Sequence, residues 1–227
     1  MPIAPVHRLK KAEIVKLASK RCKHGHVYLN HYACWLQDNP EQKERIGALD
    51  IEASSLDADW GQMLTWCIRD LETGDVVYDV LTKADIAKAK NGDEDRRIVE
   101  SCIAEIGEYD RLITFYGARY DVPFIRARAL IVGADFPYPH GVIKHKDVYD
   151  IIKSKFKLAS RRQENACRQL LGDTKKTRID TRFWRNAVRG DEESLRYVLE
   201  HNIADVEDLC RLYLKVRDYV KVNDTSI

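Results

Sequence analysis

The sequence predicts an α/β fold in which helices pack on the faces of a β-sheet, preceded by a small N-terminal extension. Hydrophobic residues make up 44% and charged residues 33% of the 227 positions, which is typical of a globular protein. Short apolar segments occupy residues 45–116, and segments of helical period dominate after residue 141. The predicted order is three strands, a helix, a fourth strand and then more helices. This order favours a sheet covered by helices.

The four predicted strands are short and hydrophobic. The first ends at acidic residues, and the second and third flank Glu72-Thr73-Gly74, a pattern typical of a β-hairpin. Gly117 ends the fourth. The predicted strands span residues 45–51, 63–68, 75–81 and 111–116.

Helices are predicted where apolar residues recur three and four positions apart. Pro123 is tolerated in the first turn of a helix, Asp147 fits an N-cap with Asp150 in the first turn, and Asp191 fits the N-cap of the longest helix. The predicted helices span residues 97–106, 122–131, 147–155, 161–171, 181–188 and 191–219.

We divide the chain into a basic extension rich in His and Cys (1–44), one α/β domain (45–220) and a C-terminal tail (221–227). No segment approaches the roughly 18 apolar residues that span a bilayer, and the first residues lack the apolar core of a secretory signal. The six cysteines do not by themselves indicate a secreted disulfide framework. We therefore expect an intracellular, cytoplasmic protein with reduced cysteines and no membrane partner.

Positive charge is concentrated in two segments, although the formal net charge is only +2. Residues 1–23 contain seven Lys or Arg and one acid, and residues 153–189 contain twelve Lys or Arg and three acids. Two basic segments on an otherwise acidic chain point to a polyanionic partner. The alternative is that they form solvated helical faces.

Four acids occur where burial would normally exclude them. Asp50 and Glu52 lie two apart at the end of a strand, so their side chains share one face. Asp121 follows a strand and a glycine turn, and Asp205 lies inside an amphipathic helix with His201 one turn before it. Four carboxylates brought together would repel one another unless cations neutralised them. The pattern therefore predicts hard divalent ions, Mg²⁺ or Mn²⁺, and two such ions about 3.5–4 Å apart can promote phosphoryl transfer.

Three segments resemble the motifs of a known enzyme superfamily. Residues 50–56, Asp-Ile-Glu-Ala-Ser-Ser-Leu, resemble the first motif of the DEDD (DnaQ-like) 3′–5′ exonucleases. Residues 115–125 are similar to the second motif, and residues 197–209 resemble the third. The nearest subgroup is the YprB-type predicted exonucleases, and the resemblance covers residues 45–215.

The resemblance implies an RNase H-like fold with a mixed sheet, an antiparallel meander plus parallel strands, in which the strand carrying Asp50 is central. It implies that Asp50 bridges two Mg²⁺ or Mn²⁺ ions, that Glu52 and Asp205 complete the ion that activates water, and that Asp121 serves the second ion, partly through water. The implied reaction is hydrolysis of the last phosphodiester bond at a 3′ end, which releases a nucleoside 5′-monophosphate.

The first and second motifs also imply contacts to the substrate. The backbone N–H groups of Ala53, Ser54 and Ser55 would hold the terminal sugar and phosphate, and Leu56 would wedge against the last base. Tyr116 stands where the family commonly has Asn, and its ring could stack on a base instead.

His201 also departs from the family pattern. The superfamily usually has Tyr four residues before the final Asp or His five residues before it, whereas here a His stands at the four-residue position, counted from Asp205. It could orient the attacking water or accept its proton as a general base. The alternative is a helix-surface His without important contacts.

The extension holds five candidate ligands for a soft metal: Cys22, His24, His26, His31 and Cys34. The two Cys with His31 and either His24 or His26 would make a tetrahedral Zn²⁺ site that staples the extension. The alternative is an unmetallated basic arm whose histidines face water.

These features predict a 3′–5′ exonuclease whose partner is the 3′ end of single-stranded or frayed DNA or RNA. Two other functions stay open: a non-catalytic nucleic-acid-binding module on the same fold, and an RNase H-like endonuclease that cuts a structured duplex. The presence of all four acids argues against the first. The following basic residues would suit the backbone of the incoming strand: Lys153, Lys155, Lys157, Arg161, Arg162, Lys175, Lys176 and Arg178.

Overall fold

The computed structural model describes residues 9, 11–39, 44–90, 92–139, 141–176, 180–220 and 225–226. The first eight residues of the predicted extension and most of the predicted tail lie outside this range, as does Arg178.

The described residues form a six-stranded mixed sheet with the strand order β3-β2-β1-β4-β5-β6. Strands β1, β2 and β3 form the antiparallel meander, β4 and β5 run parallel to β1, and β6 pairs antiparallel with β5. This confirms the predicted α/β class and the central position of β1. The strands are β1 (Ile46–Ala53), β2 (Met63–Asp70), β3 (Val76–Val80), β4 (Arg111–Thr114), β5 (Lys144–Asp147) and β6 (Thr225–Ser226).

Helices cover both faces of the sheet. The described helices are α1 (Lys11–Ser19), α2 (Tyr32–Asp38), α3 (Lys83–Lys88), α4 (Arg96–Ile106), α5 (Asp121–Val132), α6 (Val148–Lys155), α7 (Gln163–Leu171), α8 (Thr181–Ala187) and α9 (Glu192–Val216). Among these helices, none is long and apolar enough to cross a membrane.

The alternation of side chains along β1 decides which helix meets its acids. Leu49 and Ile51 belong to the core cluster that α4 and α5 help to form, whereas Ala48 packs with Val206 and Leu209 of α9. Asp50 and Glu52 follow Ala48 by two and four residues along the strand. Their side chains therefore lie on the same face as Ala48, which is the face that α9 covers. The pleat of β1 therefore directs both carboxylates towards the helix that carries Asp205.

Strand β5 was missed by the sequence analysis, which predicted only a helix from residue 147. Its sequence, Lys144-His145-Lys146-Asp147, has no hydrophobic alternation, yet three of these four residues are buried. Their polar groups find partners inside the protein: Lys144 pairs with Glu44 at 2.9 Å, and His145 Nε2 lies 2.8 Å from Thr114 Oγ1. Polar burial of this kind leaves no apolar signal in the sequence.

Two further regions are more ordered than the sequence indicated. Helix α3 begins at a capping box in which Thr82 and Asp85 bond each other's backbone N–H groups. The extension, which looked irregular, contains α1 and α2 around a small core of its own. Short helices of this kind carry few residues over which periodicity can be recognised.

Candidate active site

Three carboxylates from two elements distant in sequence come together at the end of β1. Each of Asp50, Glu52 and Asp205 offers an oxygen, and these oxygens all lie within 4.8 Å of one another. Asp50 and Glu52 come from the last residues of β1, and Asp205 comes from the middle of α9. The structure thus assembles three of the four predicted acids in one cluster.

Asp121 borders this cluster, but its oxygens are not among those that lie within 4.8 Å of one another. It is the first residue of α5 and is only 3% exposed. The Ile51 N–H, which lies between the two acids of β1, donates to Asp121 Oδ1 at 3.1 Å. The fourth acid is therefore held against the strand that carries the first two.

Only one of the two oxygens of the Asp205 carboxylate has a hydrogen-bond partner among the described protein groups. Lys176 Nζ donates to Asp205 Oδ2 at 2.5 Å, whereas Asp205 Oδ1 is buried and has no hydrogen-bond partner among the described residues. A buried carboxylate oxygen without a partner is costly unless a cation or water satisfies it. The donor set is oxygen only and anionic, which suits Mg²⁺ or Mn²⁺.

Burial raises the pKa values of all four acids, and repulsion within the cluster adds to the shifts of Asp50, Glu52 and Asp121. For Asp50, burial raises the pKa well above its usual range, and the charges of Asp121, Asp205 and Glu52 add to the effect. Burial likewise raises the pKa of Glu52 to about 8 and that of Asp121 to about 7. Burial also raises the pKa of Asp205, although the Lys176 ammonium opposes the shift.

We expect these shifts to make the metal-free protein less stable as the pH rises. Between the ordinary pKa of Glu52, 4.5, and its folded value of about 8, the folded state binds more protons than the unfolded chain. The free energy of unfolding must therefore fall with increasing pH over that window. A loss of a few kcal/mol corresponds to a Tm lower by about 5–10 °C for a chain of this size.

Thermal melts at pH 5, 6.5 and 8 test this expectation on protein freed of Mg²⁺ and Mn²⁺ by gel filtration. Added Mg²⁺ or Mn²⁺ should raise the Tm most at pH 8, where the carboxylates are most fully ionised. The control is Asp50→Asn, which removes one of the repelling charges and should flatten the pH dependence. A Tm that rises from pH 5 to pH 8 in wild type without metal would contradict the proposed electrostatics.

Side chains that the sequence analysis did not single out support the acids. Asn202 is fully buried on α9; its Nδ2 donates to Asp50 Oδ2 at 2.6 Å, and its Oδ1 accepts from Thr65 Oγ1 at 3.3 Å. The Trp184 indole on α8 hydrogen-bonds Glu52, which lowers the pKa of that carboxyl against the larger effect of burial. Groups of this type fix the orientation of metal-binding carboxylates.

His201 is buried rather than on the helix surface, so the surface alternative is wrong. It is 4% exposed and packs against the rings of Tyr197 and Trp184 at centroid distances of 4.3 and 5.7 Å. Its Nδ1 lies 2.9 Å from the Tyr197 carbonyl oxygen, which can only accept. Nδ1 therefore carries the proton, and in the neutral ring Nε2 is the basic nitrogen.

A cleft of about 590 Å³ opens beside the acids. Its lining includes Asp50 and Asp205, three aromatic side chains and the basic side chains of the loop before α7. The lining residues are Asp50, Phe115, Tyr116, Tyr149, Arg161, Arg162, Gln163, Glu164, Lys176 and Asp205.

The conformation of Tyr116 is unusual for an aromatic residue, with φ +70°. Asp147 maintains it by accepting from the N–H groups of Tyr116 at 2.8 Å and Ala118 at 3.1 Å. Between them, Gly117 passes so close to Thr114 that an added Cβ would lie 2.5 Å from the Thr114 side chain. Asp147, predicted only as a helix cap, thus also presents the 45%-exposed Tyr116 ring at the cleft.

The loop after β1 is only partly arranged as the motif implied. The Ser54 N–H donates to the Gln62 carbonyl at 3.0 Å, so this donor is already used within the protein, which argues against the substrate contact expected for it. Leu56 is 80% exposed, a position that suits the expected contact with a base. Ala53 ends β1, and the Ser55 carbonyl accepts from the Tyr120 hydroxyl at 3.4 Å.

The basic residues of segment 153–189 differ in their contacts: some pair with acids of the protein, and others are exposed at the cleft. Lys176 is bound to Asp205 and Lys175 lies 3.7 Å from Glu207, so these two do not form the free basic surface that the sequence suggested. Arg161 and Arg162 are exposed at the cleft and keep the predicted character.

Comparison with known proteins identifies the family. A model described as the RNase_H superfamily matches residues 48–217. The chain belongs to the RNase H superfamily. No curated protein matches the sequence.

Among solved structures, the RNase H-like domain is similar to a family B DNA polymerase from the hyperthermophilic archaeon Pyrobaculum calidifontis. The TM-score is 0.62 at 14% sequence identity, and the match covers 78% of this chain but only 25% of the polymerase chain. At this identity the likeness concerns the fold, which agrees with the mixed sheet described above. Together the family and the acidic cluster support a nuclease domain that acts on nucleic acid with divalent metal ions.

Proposed function

We propose that this RNase H-like domain is a 3′–5′ exonuclease that removes nucleoside 5′-monophosphates from single-stranded or frayed ends by a two-metal-ion mechanism. The observation that carries the proposal is the carboxylate cluster of Asp50, Glu52 and Asp205, in which Asp205 Oδ1 is buried without a protein partner at the side of an open cleft.

Asp50, Glu52 and Asp205 would hold one divalent cation, and Asp50 with Asp121 would hold the second. When bound, such cations supply positive charge that makes water more acidic and offsets the charge that develops on the phosphate. The protein's own groups set the geometry: Asn202 fixes the Asp50 carboxylate, and the Ile51 N–H fixes that of Asp121.

His201 is our candidate for the group that accepts the proton of the attacking water. It lies one helical turn before Asp205, and both side chains are buried on α9. The Lys176 ammonium also contacts Asp205, at 2.5 Å from Oδ2.

The cleft favours a single terminal nucleotide over a duplex. Its volume of about 590 Å³ falls within the range of small-molecule sites. Tyr116 and Tyr149 meet edge to face at 4.9 Å, and the Arg119 guanidinium lies 5.6 Å from each ring centroid. Exposed aromatic rings next to basic groups are typical of proteins that stack unpaired bases. A base splayed out at a strand end can reach such rings, whereas a base inside a duplex cannot.

A gel assay with 5′-labelled single strands of DNA and RNA tests this function. With Mg²⁺ or Mn²⁺ we expect a ladder that shortens from the 3′ end one nucleotide at a time. Because the strand backbone would contact Arg161 and Arg162, substrate binding should weaken steeply with added salt.

A circular single strand of the same sequence is the matched substrate control. An exonuclease leaves the circle intact, and cleavage of it would establish the endonuclease alternative instead. Binding of the linear strand without shortening, under conditions where Mn²⁺ binds the protein, would establish the non-catalytic alternative.

A further inference from the structure

The extension contains a metal-binding geometry that the nuclease site does not use. A tight turn follows α1: Arg21 and Val27 form an antiparallel bridge, and the Cys22 N–H donates to the His26 carbonyl at 2.9 Å. Gly25 in this turn has φ +81°, a conformation that L side chains rarely adopt. The turn thereby brings Cys22 and His26 to the same side.

Helix α2 completes the cluster with Cys34. The side chains of Cys22, His24, His26 and Cys34 offer four ligand atoms that all lie within 4.8 Å of one another. Cys22 Sγ lies 3.8 Å from His24 Nδ1 and 3.7 Å from His26 Nδ1, and Cys34 Sγ lies 3.9 Å from His24 Nδ1.

These separations fit a tetrahedral zinc site. With Zn–S bonds of about 2.3 Å and Zn–N bonds of about 2.0 Å, a tetrahedral angle places sulfur and nitrogen roughly 3.6 Å apart. Two thiolates and two imidazoles are a ligand set of structural Zn²⁺ and are too soft for Mg²⁺ or Ca²⁺. We propose that Cys22, His24, His26 and Cys34 bind one Zn²⁺ ion that holds the extension in its folded form.

His31 lies outside the four-residue cluster, so the proposed set takes both His24 and His26 as ligands and gives His31 a supporting role. Its Nδ1 lies 3.1 Å from Cys34 Sγ, and its ring stacks on that of His26 at 4.0 Å with an interplanar angle of 18°. An imidazole N–H that donates to a metal-bound thiolate and packs against a metal-bound imidazole orients both ligands.

The small size of the local core explains why the extension needs a metal. Its buried cluster holds six residues, two of which are the cysteines themselves: Leu17, Cys22, Tyr28, Tyr32, Cys34 and Trp35. The two large clusters of the RNase H-like domain include no residue of the extension among the described residues. Units below about 40 residues usually need a metal, a disulfide or a partner to stay folded.

Metal analysis of the full chain, purified without chelators, tests the proposal. We expect about one zinc ion per chain in wild type and in Asp50→Asn, and a loss of most zinc in Cys22→Ser and Cys34→Ser. Cys210→Ala, which removes a thiol from the large domain, is the matched control and should keep its zinc. Less than about a tenth of a zinc ion per chain after incubation with Zn²⁺ would overturn the proposal.

Substitution with Co²⁺ identifies the ligands spectroscopically. Wild type should show the visible absorption of tetrahedral Co²⁺ with a thiolate charge-transfer band, and His31→Ala should keep both while binding about 10–100-fold more weakly. An octahedral Co²⁺ spectrum without a thiolate band would mean that the metal binds elsewhere, and would also overturn the assignment.

Limited trypsin digestion of the wild-type protein tests the proposal without any cysteine variant, so it remains informative if those variants fail to fold. In wild type, a zinc chelator should expose the bonds after Lys20, Arg21 and Lys23, and readdition of Zn²⁺ should protect them again. The large domain should keep its thermal transition throughout. Equal digestion rates with and without the chelator would contradict a zinc-held extension.

Discussion

Replacing Asp50 with asparagine should abolish hydrolysis and at the same time raise the Tm of the metal-free protein. Asp50 is central to the carboxylate cluster, and the charges of Asp121, Asp205 and Glu52 all act on it. Loss of a cation ligand removes several kcal/mol of transition-state stabilisation, so we expect a rate at least about 10³-fold lower. The Asn202 side chain can still donate to the new amide oxygen, which keeps the local packing intact.

The gain in stability has the same electrostatic origin. Asp50→Asn removes a half-buried negative charge that three neighbouring acids repel, so metal-free protein at pH 8 should melt several degrees higher than wild type. Calorimetric titration with Mn²⁺ should show weaker binding, and the gel assay reports the rate. Asp59→Asn, on the exposed loop after β1, is the control and should change neither quantity. An active Asp50→Asn variant would refute the proposed metal centre.

The acids of the site were predictable because each has a local signature. Asp50 and Glu52 follow an apolar strand at a spacing of two, and Asp205 interrupts the apolar face of a helix, so the pattern shows where a charge is buried. Strand β1 lies at the centre of the sheet. Asp50 and Glu52 share the face of Ala48, which packs against α9, so both carboxylates point to that helix. Local pattern and topology together were enough to bring three acids into one cluster.

The supporting groups were not predictable in this way. The residues next to Asn202 and Trp184 in the sequence form no pattern that indicates a functional role. Their roles arise from contacts with Asp50 and Glu52, which lie more than 130 positions away in the chain. Lys176 looked like part of a basic surface because sequence charge does not reveal which cation pairs with a buried acid. The same limit applies to Asp147, whose cap position hid its contact with the backbone of Tyr116.

His201 marks the place where sequence pattern and structure together suggest a chemical role beyond metal binding. Two roles are consistent with its position: a general base, or a positioning residue that acts through Trp184 on Glu52. A general base contributes roughly 10²–10⁴-fold to a rate. A positioning residue would instead change the affinity for the metal. The two roles therefore predict different responses to the concentration of Mg²⁺.

We expect His201→Asn to lower the rate about 10²–10⁴-fold at saturating Mg²⁺ with little change in the Mg²⁺ concentration that gives half the maximal rate. His201→Tyr, which places at this position the residue usual in the exonuclease motif that residues 197–209 resemble, should recover part of the rate. Recovery of the full rate by excess Mg²⁺ in His201→Asn would refute the base and assign His201 to positioning. An unchanged rate at every Mg²⁺ concentration would exclude both roles and leave His201 as packing for the aromatic cluster of Tyr197 and Trp184.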